Sequence, residues 1–184
     1  MRICREEGIE VTSLPGPAAC ITALTMSGLP TRRFAFEAFL PREKKERAVV
    51  LKELVNETRT VVLYEAPHHL LKTLEELYEV LGERKISVCR ELTKRYEEAT
   101  LTTLSECLNY YRENEPRGEY VLVLKGKTFE QLEEESRKAW ETMTLEEHMA
   151  LYEEEGTPRK EAMKLVAKDR GISKREVYQA LLGQ

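Results

Sequence analysis

Residues 60–69 read Thr60-Val61-Val62-Leu63-Tyr64-Glu65-Ala66-Pro67-His68-His69. The compact β-branched run at 60–64 predicts a buried strand, and Pro67, at home in the first turn of a helix, predicts a helix directly after it. A strand that passes through a tight turn into a helix is the building unit of an α/β sheet. The alternation extends outward from this unit. C-terminally, Gly82 closes the helix, residues 85–89 resemble another strand, and 97–101 form a short strand before a helix ending near Tyr111. Residues 120–124 are the last strand. N-terminally, 42–57 read as a charged surface helix, and 34–39 alternate aromatics as a strand does. Residues 9–14 are expected to be a strand broken by Pro15-Gly16-Pro17, with a helix over about 17–27 capped by Gly28. The expected fold is α/β, a mixed sheet flanked by helices, because the short link at 90–101 can return antiparallel. From Phe129 onward the strand pattern stops. Residues 131–155 read as helical and acidic, and 159–182 as two short helices, a small all-α, helix-turn-helix-like domain. The expected division is 1–128 and 129–184.

Charge follows the same division. The chain has 184 residues and a net charge of −4, with 41% hydrophobic and 34% charged residues, the composition of a globular protein. Residues 1–128 carry 20 basic and 20 acidic side chains, 129–155 carry 2 and 10, and 156–184 carry 7 and 3. A basic tail behind an acidic spacer points to an anionic partner, or to a solvated helical face. Apolar runs such as 121–124 are far too short for a bilayer span, so no membrane partner is expected. Residues 1–7 contain no apolar stretch of the kind a secretory signal needs. Cys4, Cys20, Cys89 and Cys107 lie far apart, which predicts reduced thiols and a cytoplasmic location.

Several positions carry chemistry. Pro15, Gly16, Pro17, Ala18 and Ala19 join a strand end to a helix start, where small side chains allow close approach of a ligand or simply make a tight turn. Glu65 follows the strand at 60–64 at the end where open α/β sheets bind ligands, and can serve as a general base or as a helix cap. His68 and His69 are adjacent and lack further ligands at helical spacing, so no metal site is predicted. Arg90, Lys94 and Arg95 form a cationic cluster that can hold phosphate or pair with Glu91, Glu97 and Glu98. In the tail, Ala167 permits close helix approach, Gly171 suits the turn, Ser173 suits the N-cap and Val177 the packed face. Lys174, Arg175 and Gln179 would then face outward, able to meet phosphate or base edges, or the tail is a helical packing module with lysines on its wet side. Taken singly, these features describe an α/β domain with a basic helical tail and no more.

Their order says more. The blocks Cys4-Arg5-Glu6-Glu7-Gly8-Ile9-Glu10-Val11, Leu14-Pro15-Gly16-Pro17-Ala18-Ala19, Ser27-Gly28-Leu29-Pro30, Phe36-Glu37-Ala38-Phe39-Leu40-Pro41, Tyr64-Glu65-Ala66-Pro67-His68, Arg90-Glu91-Leu92-Thr93-Lys94 and Gly118-Glu119-Tyr120-Val121 together resemble the tetrapyrrole methylase superfamily. The closest likeness is to its branch that 2′-O-methylates a cytidine of small-subunit ribosomal RNA. The chain departs from the family pattern at His69, where arginine is usual, at Ala66, where serine is common, and at Ala38, where glycine is common.

The resemblance covers the family's second domain and C-terminal helical domain. It implies that the chain is part of a two-domain homodimeric enzyme and is inactive alone. It further implies S-adenosyl-L-methionine as cofactor, held by Pro15, Gly16, Pro17, Ala18, Ala19, Tyr64 and Tyr120. Glu65 or Glu91 is then the expected proton acceptor, Arg90 and Lys94 hold phosphate or developing charge, and Lys168, Arg170, Lys174 and Arg175 grip ribosomal RNA. Two alternatives use the same residues: a freestanding helix-turn-helix nucleic-acid adaptor, and a methylase of a small tetrapyrrole.

Overall fold

A computed structural model describes residues 2–182, with residues 139 and 141 as backbone only. The chain divides into two compact units, 1–126 and 127–184. In the first, a short helix α1 (Arg2–Glu6) precedes α2 (Ala19–Met26), β1 (Phe34–Phe39) and α3 (Lys44–Glu53), which runs into a 3-10 turn. Then come β2 (Thr60–Glu65), α4 (Pro67–Leu81), β3 (Lys85–Arg90), β4 (Glu98–Thr103), α5 (Leu104–Glu113) and β5 (Tyr120–Leu124). The sheet order is β1-β2-β5-β3-β4; β1 and β2 are parallel and every other pairing is antiparallel. The expected mixed α/β sheet is borne out.

Period two in the strands sorts the core into two layers. Val61, Leu63, Ile86, Val88, Tyr120, Leu122 and Leu124 pack against Leu70, Leu74 and Leu77 of α4 and Leu104 and Leu108 of α5. Val62, Cys89, Val121 and Val123 face the other way, onto Ala23 and Leu24 of α2. Helix α4 follows the sequence reading: Pro67 opens it and Gly82 lies just past its end.

Two N-terminal expectations fail. Residues 9–14 form no strand, since Ile9 and Leu14 are exposed and no neighbouring strand supplies a ladder for the backbone. Helix α2 starts at Ala19, because Ala18 keeps an extended backbone at φ −133° and acts as N-cap.

The second unit consists of α6 (Phe129–Glu141), α7 (Leu145–Glu154), α8 (Arg159–Arg170) and α9 (Lys174–Leu182). The acidic helical stretch at 131–155 is two helices, since Thr144 and Glu147 form a capping box that starts α7. Met149, Ala162, Val166, Ala167 and Val177 make the core of this unit. Gly171 adopts φ +64° at the end of α8, a left-handed conformation that other residues enter at a cost. Ser173 and Glu176 then cap the start of α9 reciprocally. No described helix is long and apolar enough to cross a membrane.

Candidate functional site

The sheet register gathers several of the sequence candidates at one end. Phe39 lies opposite Tyr64, Glu65 opposite Tyr120, and Arg90 opposite both Tyr120 and Glu98. Strands β1, β2 and β3 therefore end where β4 and β5 begin, and the loops after them share one edge.

Alternation then separates the side chains. Tyr64 belongs to the α2 face, where its Oη accepts the Cys20 N–H at 3.1 Å and ties the strand end to the first turn of α2. Burial raises the Tyr64 pKa, with the Cys20 contact adding to it. The rings of Phe36 and Phe39 stand edge-on to Tyr64, with centroids 5.0 and 5.6 Å away, and are 45% and 60% exposed. Residues 15–19 are exposed, and a Cβ added to Gly16 would meet open space. Tyr120 corrects the sequence reading. Its side chain lies on the opposite face, is 2% exposed, and accepts the Arg117 N–H at 3.0 Å, so it supports the strand end from within.

Glu65 is also buried, and both carboxylate oxygens are held. One accepts the Ala66 N–H at 2.8 Å and the other accepts the Thr73 hydroxyl. Arg47 donates to the same Thr73 hydroxyl at 2.7 Å and pairs with Glu76. This chain of polar groups floors a cavity of about 580 Å³, whose lining includes Phe39, Arg42, Glu65, His68, His69 and Lys72. The sequence reading missed Arg42, Arg47, Lys72 and Thr73. The signal was available for Arg42: it follows a strand at the same edge as Glu65.

Glu91 and its neighbours have a different character. Glu91 itself sits at φ +51°, and its carboxylate accepts the Glu119 N–H at 2.9 Å and faces Lys94 at 3.1 Å. The backbone hydrogen bond from Glu119, then Lys94, holds its pKa below the usual carboxylate range. Lys94 is raised in turn by Glu119 and by Glu91. A Cβ at Gly118 would lie 2.6–2.8 Å from the Glu91 side chain, so only glycine fits behind this brace. Arg90 pairs with Glu98 at 2.9 Å. Of the intramolecular pairs that sequence left open for this cluster, Arg90–Glu98 and Lys94–Glu91 are present, whereas Arg95 lies over the Tyr96 ring and Glu97 accepts the Thr93 N–H.

In the tail, Lys168 and Arg175 are exposed and Lys174 is half-buried. Arg170 is otherwise engaged: it donates to the Met143 and Thr144 carbonyls at 2.6 and 3.0 Å and to His148 Nδ1 at 3.1 Å. Its guanidinium fastens α8 to the start of α7 and is not presented outward, contrary to the RNA-gripping role expected of it. Among the described residues, no group of three or more His, Cys, Asp or Glu side chains is arranged to hold a metal.

Residues 1–108 match the sequence profile of the Tetrapyrrole (Corrin/Porphyrin) Methylases. Ribosomal RNA small subunit methyltransferase I of Bacillus subtilis (strain 168) is 45% identical over 170 residues, which cover 92% of this chain and 58% of that protein. The protein of the same name from Halalkalibacterium halodurans is 44% identical over 173 residues, covering 94% and 59%. The chain thus spans less than two thirds of the length of these relatives. The crystal structure of the methyltransferase CobJ has a TM-score of 0.51 at 19% identity, covering 66% of this chain and 53% of that one, and shares the fold.

Proposed function

Because the chain belongs to the tetrapyrrole methylase family, we propose that it is the second of the two methylase-fold domains, with the small C-terminal helical domain, of a larger methyltransferase. In this reading the whole enzyme is a cytoplasmic homodimer that transfers a methyl group to a cytidine 2′-hydroxyl of small-subunit ribosomal RNA. The observation that carries it is the 45% identity, across 92% of the chain, to a relative whose name states ribosomal RNA methylation.

S-adenosyl-L-methionine, when bound, supplies the methyl group from its sulfonium. The α2 face has features that suit it: a small-residue turn at 15–19 open to close approach, and exposed faces of Phe36 and Phe39 beside Tyr64. Aromatic faces attract a cationic sulfonium as they do other cations. Glu65 and Glu91 are the two proposed proton acceptors: both Glu65 oxygens accept hydrogen bonds, from the Ala66 N–H and Thr73, at the wall of a cavity beside α4, and one Glu91 oxygen accepts from the Glu119 N–H and Lys94 in a loop. Arg90 and Lys94 keep that loop in shape. Lys168, Lys174 and Arg175 hold RNA backbone by charge.

Titration calorimetry tests the reading. S-adenosylmethionine added to this chain alone should give no binding heat. Joined to its upstream genomic sequence, the protein should bind the cofactor and methylate small-subunit ribosomal RNA. A joined protein that does neither would overturn the assignment.

A further inference from the structure

Cations at the strand ends fall into two groups. Arg90 and Lys94 are matched by Glu98, Glu91 and Glu119 at 2.9–3.1 Å. Around the cavity over Glu65 the balance differs. Arg42 has no hydrogen bond or ion pair among the described residues. Lys72 reaches only Glu76, at 3.8 Å, and Arg47 holds that carboxylate more closely. The His68 and His69 rings lie tilted to one another at 47°, with centroids 4.2 Å apart, and both are exposed. Among the described residues, the only carboxylate lining the cavity, Glu65, already accepts from Thr73 and the Ala66 N–H. Donors and positive charge therefore face this space, with no carboxylate left over to match them.

Such a lining complements a ligand rich in anionic acceptors, and an unpaired guanidinium recognises phosphate best because its fork matches two oxygens. The volume narrows the class. About 580 Å³ is far more than a bare phosphate fills and falls within the ~300–1,000 Å³ of ordinary small-molecule sites. Phe39, Leu40 and Pro41 give one wall an apolar surface for a sugar or base.

We propose that this cavity holds one nucleotide of the RNA substrate, its phosphodiester against Arg42, Lys72, His68 and His69, and its sugar and base along Phe39 and Leu40. The identity of the polymer rests on the methyltransferase reading above; the charge imbalance of the cavity does not.

The test is fluorescence anisotropy of a labelled short single-stranded RNA with the 184-residue chain, across a salt series. Removing two phosphate contacts, with Arg42→Gln and Lys72→Gln together, should weaken binding about tenfold and flatten the log–log salt slope by about 1.4. His69→Arg places a permanent guanidinium on the same wall and should tighten binding and steepen the slope. Inorganic phosphate at matched ionic strength should not displace the RNA. Unchanged affinity and slope in both variants would overturn the site. Displacement by inorganic phosphate would instead make it a free-anion site and overturn the nucleotide. Failure of the joined enzyme to methylate ribosomal RNA, with these effects intact, removes the reaction and keeps the site. Methylation with no effect of either variant on binding does the reverse.

Discussion

Ala38 has a backbone that suits glycine better than alanine. It sits at φ +52°, where the pairing of β1 with β2 shifts register between Phe36 and Ala38. For an L-residue with a Cβ this left-handed conformation costs ~1–2 kcal/mol, whereas glycine enters it freely but loses ~0.5–1 kcal/mol more chain entropy on folding. Ala38→Gly should therefore stabilise the first unit by about 0.5–1 kcal/mol, seen as a higher urea midpoint at unchanged slope. A lower midpoint would show that the methyl group contributes more than the strain costs. The irregular register has a functional side too. It brings Phe39 opposite Tyr64 and onto the wall of the Glu65 cavity, so one ring borders both surfaces.

Among the elements, α9 depends most visibly on its first turn. Ser173 accepts the Glu176 N–H at 3.2 Å while the Glu176 carboxylate accepts the Ser173 N–H, which satisfies two N–H groups that the helix itself leaves unpaired. Ser173→Ala should cost about 1 kcal/mol. Hydrogen exchange should locate that loss in α9, with amides of α4 unchanged; a uniform loss across both units would contradict the local account. The same element carries Lys174 and Arg175, so a frayed first turn should also weaken the RNA binding proposed for the tail. Helix α4 is the contrasting case. Leu70, Leu74 and Leu77 bury one stripe against the sheet, and its boundaries are fixed by Pro67 and Gly82.

At the scale of the molecule, each unit closes its own core, and the second contains a buried histidine that sequence reasoning passed over. His148 is 1% exposed, stacks on Trp140 at 5.1 Å and accepts from Arg170 at Nδ1. Asp169 lies 3.4 Å from its Nε2, and Tyr152 donates to the same Asp169 oxygen. Burial and then the Arg170 charge lower the His148 pKa, outweighing Asp169. An unfolded histidine titrates near ~6.5, so below that value the unfolded chain binds more protons than the folded one. Stability of this unit is full above about pH 6.5 and falls as pH drops toward the lower folded value. Trp140, the only tryptophan, reports the transition, and its melting temperature should fall between about pH 7.5 and about pH 5.5. A flat profile would mean that Asp169 compensates the proton fully.

The sequence alone determined the class of sheet and most of its elements, though not the coil at 9–14 or the break between α6 and α7, since strand and helix periods, Pro67, Gly82 and Gly171 act through local backbone geometry. It also determined the family, through the order of short blocks that no single block could establish. It did not determine which charges are free. Arg90, Lys94 and Arg170 look alike to Arg42 and Lys72 in a linear reading. Only the tertiary structure places Glu98, Glu91, Glu119 and the carbonyls of Met143 and Thr144 beside the first three. Only the sheet register turns Tyr64 and Tyr120 to opposite faces. The physical reason is range and register: backbone preference is fixed within a turn of chain, whereas pairing and burial depend on how the sheet brings side chains together, some from partners more than twenty residues away, such as Glu119 for Lys94 and Met143 for Arg170.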